Sequence, residues 1–163
     1  MVRHALAAAA LALLCISGAQ AVGRAEVRFV EPEKFTDAGF GVQERERTQQ
    51  LLNSHFERLA RSLPDGQVLR VDITDVDLAG EVDTLAFHRI RVIGQLPDAP
   101  RLDMRFELRQ GDRVISRGEE KLSDLAYDFG RIGAQRGQPL QYEARMIDRW
   151  FSERFATQLA ARK

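Results

Sequence analysis

The alternation of apolar and charged residues between Arg101 and Arg109 constrains the fold more than any other feature of the chain. Every second residue of this run is apolar and the others are charged, the apolar ones being Leu102, Met104, Phe106 and Leu108. Side chains of a strand point alternately to its two faces, so the run predicts a strand with one buried and one solvated face. Such a strand is typical of an antiparallel sheet that is covered on one side only.

The remaining patterns predict four more strands and two helices. Strand-like runs cover residues 26–30, 69–78, 86–96 and 113–122. Helical spacing of bulky apolar residues appears in residues 43–63 and again in residues 140–160, where Ile147, Phe151, Phe155 and Leu159 recur at every fourth position. The order β-α-β-β-β-β-α predicts an α+β fold, a two-layer sandwich in which two helices cover one face of a mainly antiparallel sheet of about five strands.

The second of these runs changes phase at Asp75. Leu69, Val71 and Ile73 share one parity, whereas Val76 and Leu78 share the other. A regular strand would force Asp75 into the core, so a β-bulge or a strand end near Thr74 and Asp75 is expected.

The first 21 residues resemble an export signal. A basic start precedes an apolar run over residues 5–16, and Ala19-Gln20-Ala21 has the small-x-small pattern that signal peptidase cleaves. The apolar run is shorter than the roughly 20 residues that span a bilayer. We therefore expect residues 1–21 to be a signal peptide and residues 22–163 to be one periplasmic domain without stable membrane insertion. The alternative is an uncleaved membrane anchor.

Composition narrows the classes of function for the mature chain. The mature chain is predicted to start at Val22 and therefore lacks Cys15, the single cysteine of the sequence. The absence of cysteine excludes thiol catalysis, disulfides and cysteine-bound zinc. The full chain has 24 basic and 24 acidic residues, well mixed along its length, so no basic stripe indicates a nucleic-acid partner. No cofactor motif is present, and we predict no cofactor.

Histidines and carboxylates are the remaining candidates for chemistry. His55 and His88 fit no metal or nucleophile motif, and we interpret them as a helix-surface and a half-buried strand residue. The sharpest feature is the cluster of Asp72, Asp75 and Asp77. These carboxylates favour either backbone hydrogen bonds where the strand breaks or, alternatively, a hard-cation site. A pocket lined by Asp37, Asp75, Asp77 and Asp124 would favour a hydrolase.

Several segments resemble one protein family. They are Pro32-Glu33-Lys34-Phe35-Thr36-Asp37, the turn Leu63-Pro64-Asp65-Gly66, the element Thr74-Asp75-Val76-Asp77-Leu78-Ala79-Gly80, and Leu140-Gln141-Tyr142-Glu143 with Trp150-Phe151. Together they are similar to domain-of-unknown-function family 3016, over nearly the whole mature chain. The resemblance implies a bacterial exported protein and assigns no activity or site residues.

The sequence thus favours a non-enzymatic exported domain that interacts with a protein or another component of the cell envelope. The first alternative is a small-ligand or divalent-cation binding protein that uses Asp72, Asp75 and Asp77. The second alternative is a carboxylate-dependent hydrolase. The two alternatives require the aspartates to lie close together in the folded chain, whereas the interaction hypothesis does not.

Overall fold

A computed structural model describes residues 22–83, 90–92, 99–126 and 139–161 and has the predicted α+β fold class. Its strands are β1 (Arg24–Phe29), β2 (Gln67–Asp77), β3 (Glu81–Asp83), β4 (Ile90–Val92), β5 (Arg101–Gln110) and β6 (Arg113–Ser123). Its helices are α1 (Gly41–Ala60), α2 (Gln141–Arg154) and α3 (Ala156–Ala161), with a 3-10 turn at Pro32–Lys34.

Four of these strands form one sheet in the order β1-β2-β5-β6. The pairs β2–β5 and β5–β6 are antiparallel, whereas β1 runs parallel to β2. The parallel pair follows from α1, because a helix between two adjacent strands returns the chain to the starting edge of the sheet. The sheet is therefore mixed, with antiparallel pairs in the majority.

The phase change in β2 is a β-bulge, as predicted. Ile73 pairs with Met104 and Asp75 pairs with Asp103, so Thr74 is the extra residue. Beyond the bulge Val76 is again buried. The insertion returns apolar side chains to the core and leaves Asp75 on the polar face of the sheet.

One core joins the sheet to the helices. The apolar residues of β2 and β5 lie in the same cluster as Leu52 and Phe56 of α1 and Ile147 and Phe151 of α2. Trp150 packs edge-on against Phe106 of β5, with ring centroids 5.4 Å apart. The bulky residues of the last helical segment are therefore used to hold it on the sheet.

Two elements differ from the sequence-based prediction. The last helix is not continuous, since α2 ends at Arg154 and α3 begins at Ala156. The predicted strand over residues 86–96 contributes β4, which pairs with the short β3 in a separate two-stranded sheet and does not extend the main sheet. The leader, His88 and the rest of the 86–96 run lie outside the described residues.

Candidate functional site

Asp72 is held by an arginine on the polar face of the sheet. Arg28 lies beside it in the parallel register of β1 and β2. The guanidinium donates two hydrogen bonds, from Nε to Oδ1 at 2.9 Å and from Nη2 to Oδ2 at 2.7 Å. This two-point geometry matches a planar guanidinium to a planar carboxylate, so both oxygens of Asp72 are occupied by the fold.

Asp75 connects the bulge to the loop after the 3-10 turn. Its Oδ1 accepts the backbone N–H of Thr36 at 2.7 Å and that of Val76 at 2.9 Å. Its Oδ2 accepts the Thr36 hydroxyl at 2.8 Å. These contacts agree with the interpretation of this aspartate as an acceptor for backbone donors where the strand is irregular.

Asp37 continues the same connection and reaches β4. Its backbone N–H donates to Val76 O at 2.8 Å, and its carbonyl accepts the N–H of Leu78 at 3.0 Å. Its carboxylate forms an ion pair with Arg91 at 2.8 Å. The other end of that guanidinium donates to Gly80 O at 2.6 Å. Asp37 and Arg91 therefore tie three segments of the chain together.

Asp77 and Asp124 occupy different surroundings. Burial raises the pKa of the Asp77 carboxyl, and the charges of Asp37 and Asp75 act in the same direction against that of Arg101. Asp124 is buried after β6, where its Oδ2 lies 3.1 Å from Arg145 and 3.3 Å from Arg149 of α2. It anchors α2 to the end of the sheet.

Four of the five aspartates predicted as a candidate site therefore have separate partners, whereas Asp77 lies near enough to Asp37 and Asp75 for their charges to raise its pKa. In the described part of the chain, no group of three or more histidine, cysteine or acidic side chains is arranged to hold a metal ion. Asp75 and Asp37 share one connection to the loop before α1, whereas Asp72 and Asp124 pair with arginines of other elements. The arrangement organises backbone segments around the bulge.

Glu143 adds a buried carboxyl to this connection. Glu143 lies in the first turn of α2, and its Oε1 accepts the N–H of Ala79 at 2.8 Å. Glu143 is only 5% exposed, and burial raises the pKa of its carboxyl above the ordinary glutamate value. Three of the segments that carry the family resemblance thus meet here, around residues 36–37, 75–80 and 143.

A cleft between α1 and the start of α2 opens beside Glu143. It consists of two adjoining cavities of about 460 and 340 Å³, which share Leu51, Pro139, Leu140 and Gln141 in their walls. We call this feature the helix cleft. Glu143 and Arg91 line the larger cavity, and His55 lines the smaller one. Its size is that of a site for a small molecule.

His55 links the two helices across the helix cleft. Its Nε2 lies 2.8 Å from Asp148 Oδ1 of α2, and its Nδ1 lies 2.7 Å from Arg58 Nη2. The imidazole is only 12% exposed, which differs from the helix-surface position predicted for it. Burial lowers the pKa of His55 despite the nearby Asp148 charge, so the neutral ring is favoured.

The polar side of the main sheet carries an ordered array of charges, which we call the charged face. In one row across the four strands Glu26, Arg70, Glu107 and Arg117 are register neighbours, and in the next row Arg28, Asp72, Arg105 and Glu119 are. Signs alternate along both rows and between them. The surface also includes Arg24 and Arg109 at its margin, so arginines outnumber carboxylates by six to four.

The carboxylates of the charged face form ion pairs with some of its arginines and not with others. Glu26 binds Arg24 and Arg70, each at 2.9 Å, and Glu107 binds Arg109 at 2.7 Å. By contrast, Arg105 and Arg117 form no hydrogen bond or ion pair with any described residue, and both are exposed. An open groove of about 790 Å³ crosses this surface and is lined by residues of all four strands.

Sequence reasoning did not select Arg91 or Glu143. Glu143 lies four residues before Ile147 and eight before Phe151, so its helical position places it on the buried stripe of α2. That periodicity could have identified a buried carboxyl. Arg91 gave no comparable signal, because its partners come from segments that are distant in sequence.

Among the described residues, no helix is both long and apolar enough to cross a bilayer.

Comparisons with known proteins support the resemblance found in the sequence. Neither the curated proteins nor the solved structures include a significant match to the chain. A family model described as a protein of unknown function, DUF3016, matches residues 23–153. The chain therefore belongs to the DUF3016 family.

Proposed function

We propose that this protein is an exported, periplasmic and non-enzymatic domain that binds another protein of the cell envelope. The signal-like residues 1–21 support export. The observation that carries the binding proposal is the charged face, where Arg105 and Arg117 are exposed and unpaired among the described residues, as is Glu119, although the other charges that line the groove are ion-paired. Exposed guanidinium groups without a protein acceptor, in an open groove, are suited to a partner that brings its own acceptors.

The bonding of the aspartates supports a non-enzymatic role. A catalytic carboxylate must have an oxygen available to substrate or water. Arg28 hydrogen-bonds both oxygens of Asp72, and both oxygens of Asp75 accept hydrogen bonds from Thr36 or Val76, so these two carboxylates already serve the fold. The separate partners of Asp37 and Asp124 give the hydrolase alternative no support.

Two measurements test export and binding. Mass spectrometry of the protein from the periplasm is expected to give a chain that begins at Val22, and retention of residues 1–21 would contradict cleavage. For binding, a photo-crosslinking residue replaces Arg24, Arg117 or Glu119 of the charged face in separate variants, with Asp65 on the turn before β2 as the control position. One specific product from the charged face and none from the control is expected. Equal labelling at all positions would contradict a defined interface.

The helix cleft makes small-ligand binding the second candidate function. Its buried Glu143 carboxyl lies beside a cavity of suitable size, which supports a site different from the Asp72, Asp75 and Asp77 cluster. Calcium titration with thermal melting tests the cation version of this alternative. A calcium-dependent rise in melting temperature that Glu143→Gln abolishes and Asp75→Asn leaves intact would assign cation binding to the helix cleft.

A further inference from the structure

We infer that Arg105 and Arg117 recognise an extended, acidic segment of the partner protein, with carboxylates at alternate positions. This inference rests on the proposed function and names the chemistry of the partner. It places recognition at the two strands β5 and β6, on the side of the charged face where the arginines lack acceptors.

The unpaired charges of the groove favour an anionic ligand group, because Arg105 and Arg117 are two cations and Glu119 is the one carboxylate of the lining without an ion pair among the described residues. Arg28, Arg70 and Arg109 each have a carboxylate within 2.9 Å in their own sheet. Arg105 and Arg117 have neighbours of opposite sign in register, Glu119 and Glu107, without an ion pair to either. A partner carboxylate can therefore bind these two guanidinium groups without first breaking an ion pair of the described residues.

The geometry favours acidic residues at positions i and i+2 of a strand. Arg105 lies opposite Glu119 and Arg117 lies opposite Glu107, so the two arginines are diagonal neighbours on adjacent strands. Such neighbours lie roughly 7–8 Å apart. Side chains on one side of an extended peptide repeat about every 6.6 Å, which is close to that separation. Adjacent acidic residues would point to opposite sides and could not engage both arginines.

The carboxylates nearby disfavour a densely anionic partner. Glu107 and Glu119 flank the two arginines and would lie against the phosphates of a lipid surface. An extended segment with only two carboxylates on the side that faces the sheet can place both on the diagonal of Arg105 and Arg117, away from Glu107 and Glu119. Among anionic partners, a protein segment is therefore favoured over a membrane.

The test uses the purified mature protein and synthetic peptides. The probe is acetyl-Ser-Glu-Ser-Glu-Ser-amide, compared with acetyl-Ser-Glu-Glu-Ser-Ser-amide and with acetyl-Ser-Gln-Ser-Gln-Ser-amide, in titrations followed by amide chemical shifts. Vesicles of phosphatidylglycerol are tested in parallel. The test variant is a double one that combines Arg105→Gln with Arg117→Gln. The control is Arg113→Gln, since Arg113 is an exposed arginine of β6 that does not line the groove.

The alternating peptide is expected to bind more tightly than both other peptides. The double variant should weaken that binding about tenfold, because two exposed ion pairs are lost, and the Arg113→Gln control should not. Equal binding of the two glutamate peptides, or no binding of the alternating one, would overturn the inference. Vesicle binding that depends on the same two arginines, with weaker peptide binding, would overturn it in favour of a lipid surface.

The crosslinking experiment separates this inference from the proposed function. If a specific envelope protein is captured at the charged face and the double variant captures it equally well, the interaction role stands and the inference fails. If no specific product forms at the charged face although the alternating peptide binds as expected, the proposed envelope partner fails and the acidic-segment preference stands.

Discussion

Replacing Asp75 by alanine tests the idea that this carboxylate organises the bulge. The substitution removes the acceptor of three donors, namely the Thr36 N–H, the Thr36 hydroxyl and the Val76 N–H. Each such bond contributes about 0.5–1.5 kcal/mol net. Thr36 is exposed, so water can replace part of the loss at its two donors. We expect Asp75→Ala to lower the free energy of unfolding by about 1–3 kcal/mol.

Asp75→Asn distinguishes hydrogen bonding from charge. An asparagine carbonyl oxygen can still accept both backbone N–H groups, so this variant should lose less than about 1 kcal/mol. Thr36→Val is the matched control, since it removes the hydroxyl and keeps the backbone donor. Equilibrium unfolding in urea measures all three variants, and an unchanged slope with denaturant shows that the two-state comparison is valid.

Two results would refute this reasoning. If Asp75→Asn costs as much as Asp75→Ala, the negative charge matters more than the acceptor geometry. If millimolar calcium raises the melting temperature of the parent protein and has no effect on Asp75→Asn, the carboxylate belongs to a cation site.

Three further predictions concern the core and the buried carboxyl. Phe151 is 2% exposed and packs 5.1 Å from the Phe155 ring, so Phe151→Ala should cost about 3–5 kcal/mol in urea unfolding; a loss below about 1 kcal/mol would mean that this face of α2 is not packed. A Cβ at Gly118 would lie 3.0 Å from Cε1 of Phe106, so Gly118→Ala should destabilise the protein by about 1–2 kcal/mol, and a stabilised variant would show that the ring moves without cost. The raised pKa of Glu143 means that the folded state holds its proton more tightly than the unfolded state does, so its contribution to stability falls as pH rises from the ordinary value of 4.5 through the raised pKa. Glu143→Gln should remove that loss, and parallel stability curves for parent and variant across this pH range would contradict it.

The bulge and the last helix are features that the local spacing of apolar residues predicted from the sequence. The phase change at Asp75 predicted the irregularity that β2 shows, because a strand has only two faces and the core accepts only one of them. The four-residue spacing of Ile147, Phe151 and Phe155 predicted a docked helix, although the break at Phe155 was not predicted. Both successes depend on burial of neighbours along the chain.

The partners of the candidate site residues could not be predicted from local spacing. The spacing of Asp72 and Asp75 could not distinguish a cation site from two separate structural roles, because their partners Arg28 and Thr36 come from other parts of the chain. Parallel pairing of β1 with β2 decides the first contact, and the strand-to-loop connection decides the second.

The sequence by itself determined the α+β class, a half-buried strand over Arg101 to Arg109 and the bulge. These follow from periodicity and from residue order, which act over a few positions at a time. The DUF3016 family was identified separately, from the resemblance of its motifs. Only the tertiary structure decided which charges are satisfied: Arg28 is bound by Asp72, whereas Arg105 and Arg117 remain without partners among the described residues. The reason is that ion pairing depends on strand register, and register is a property of the assembled sheet.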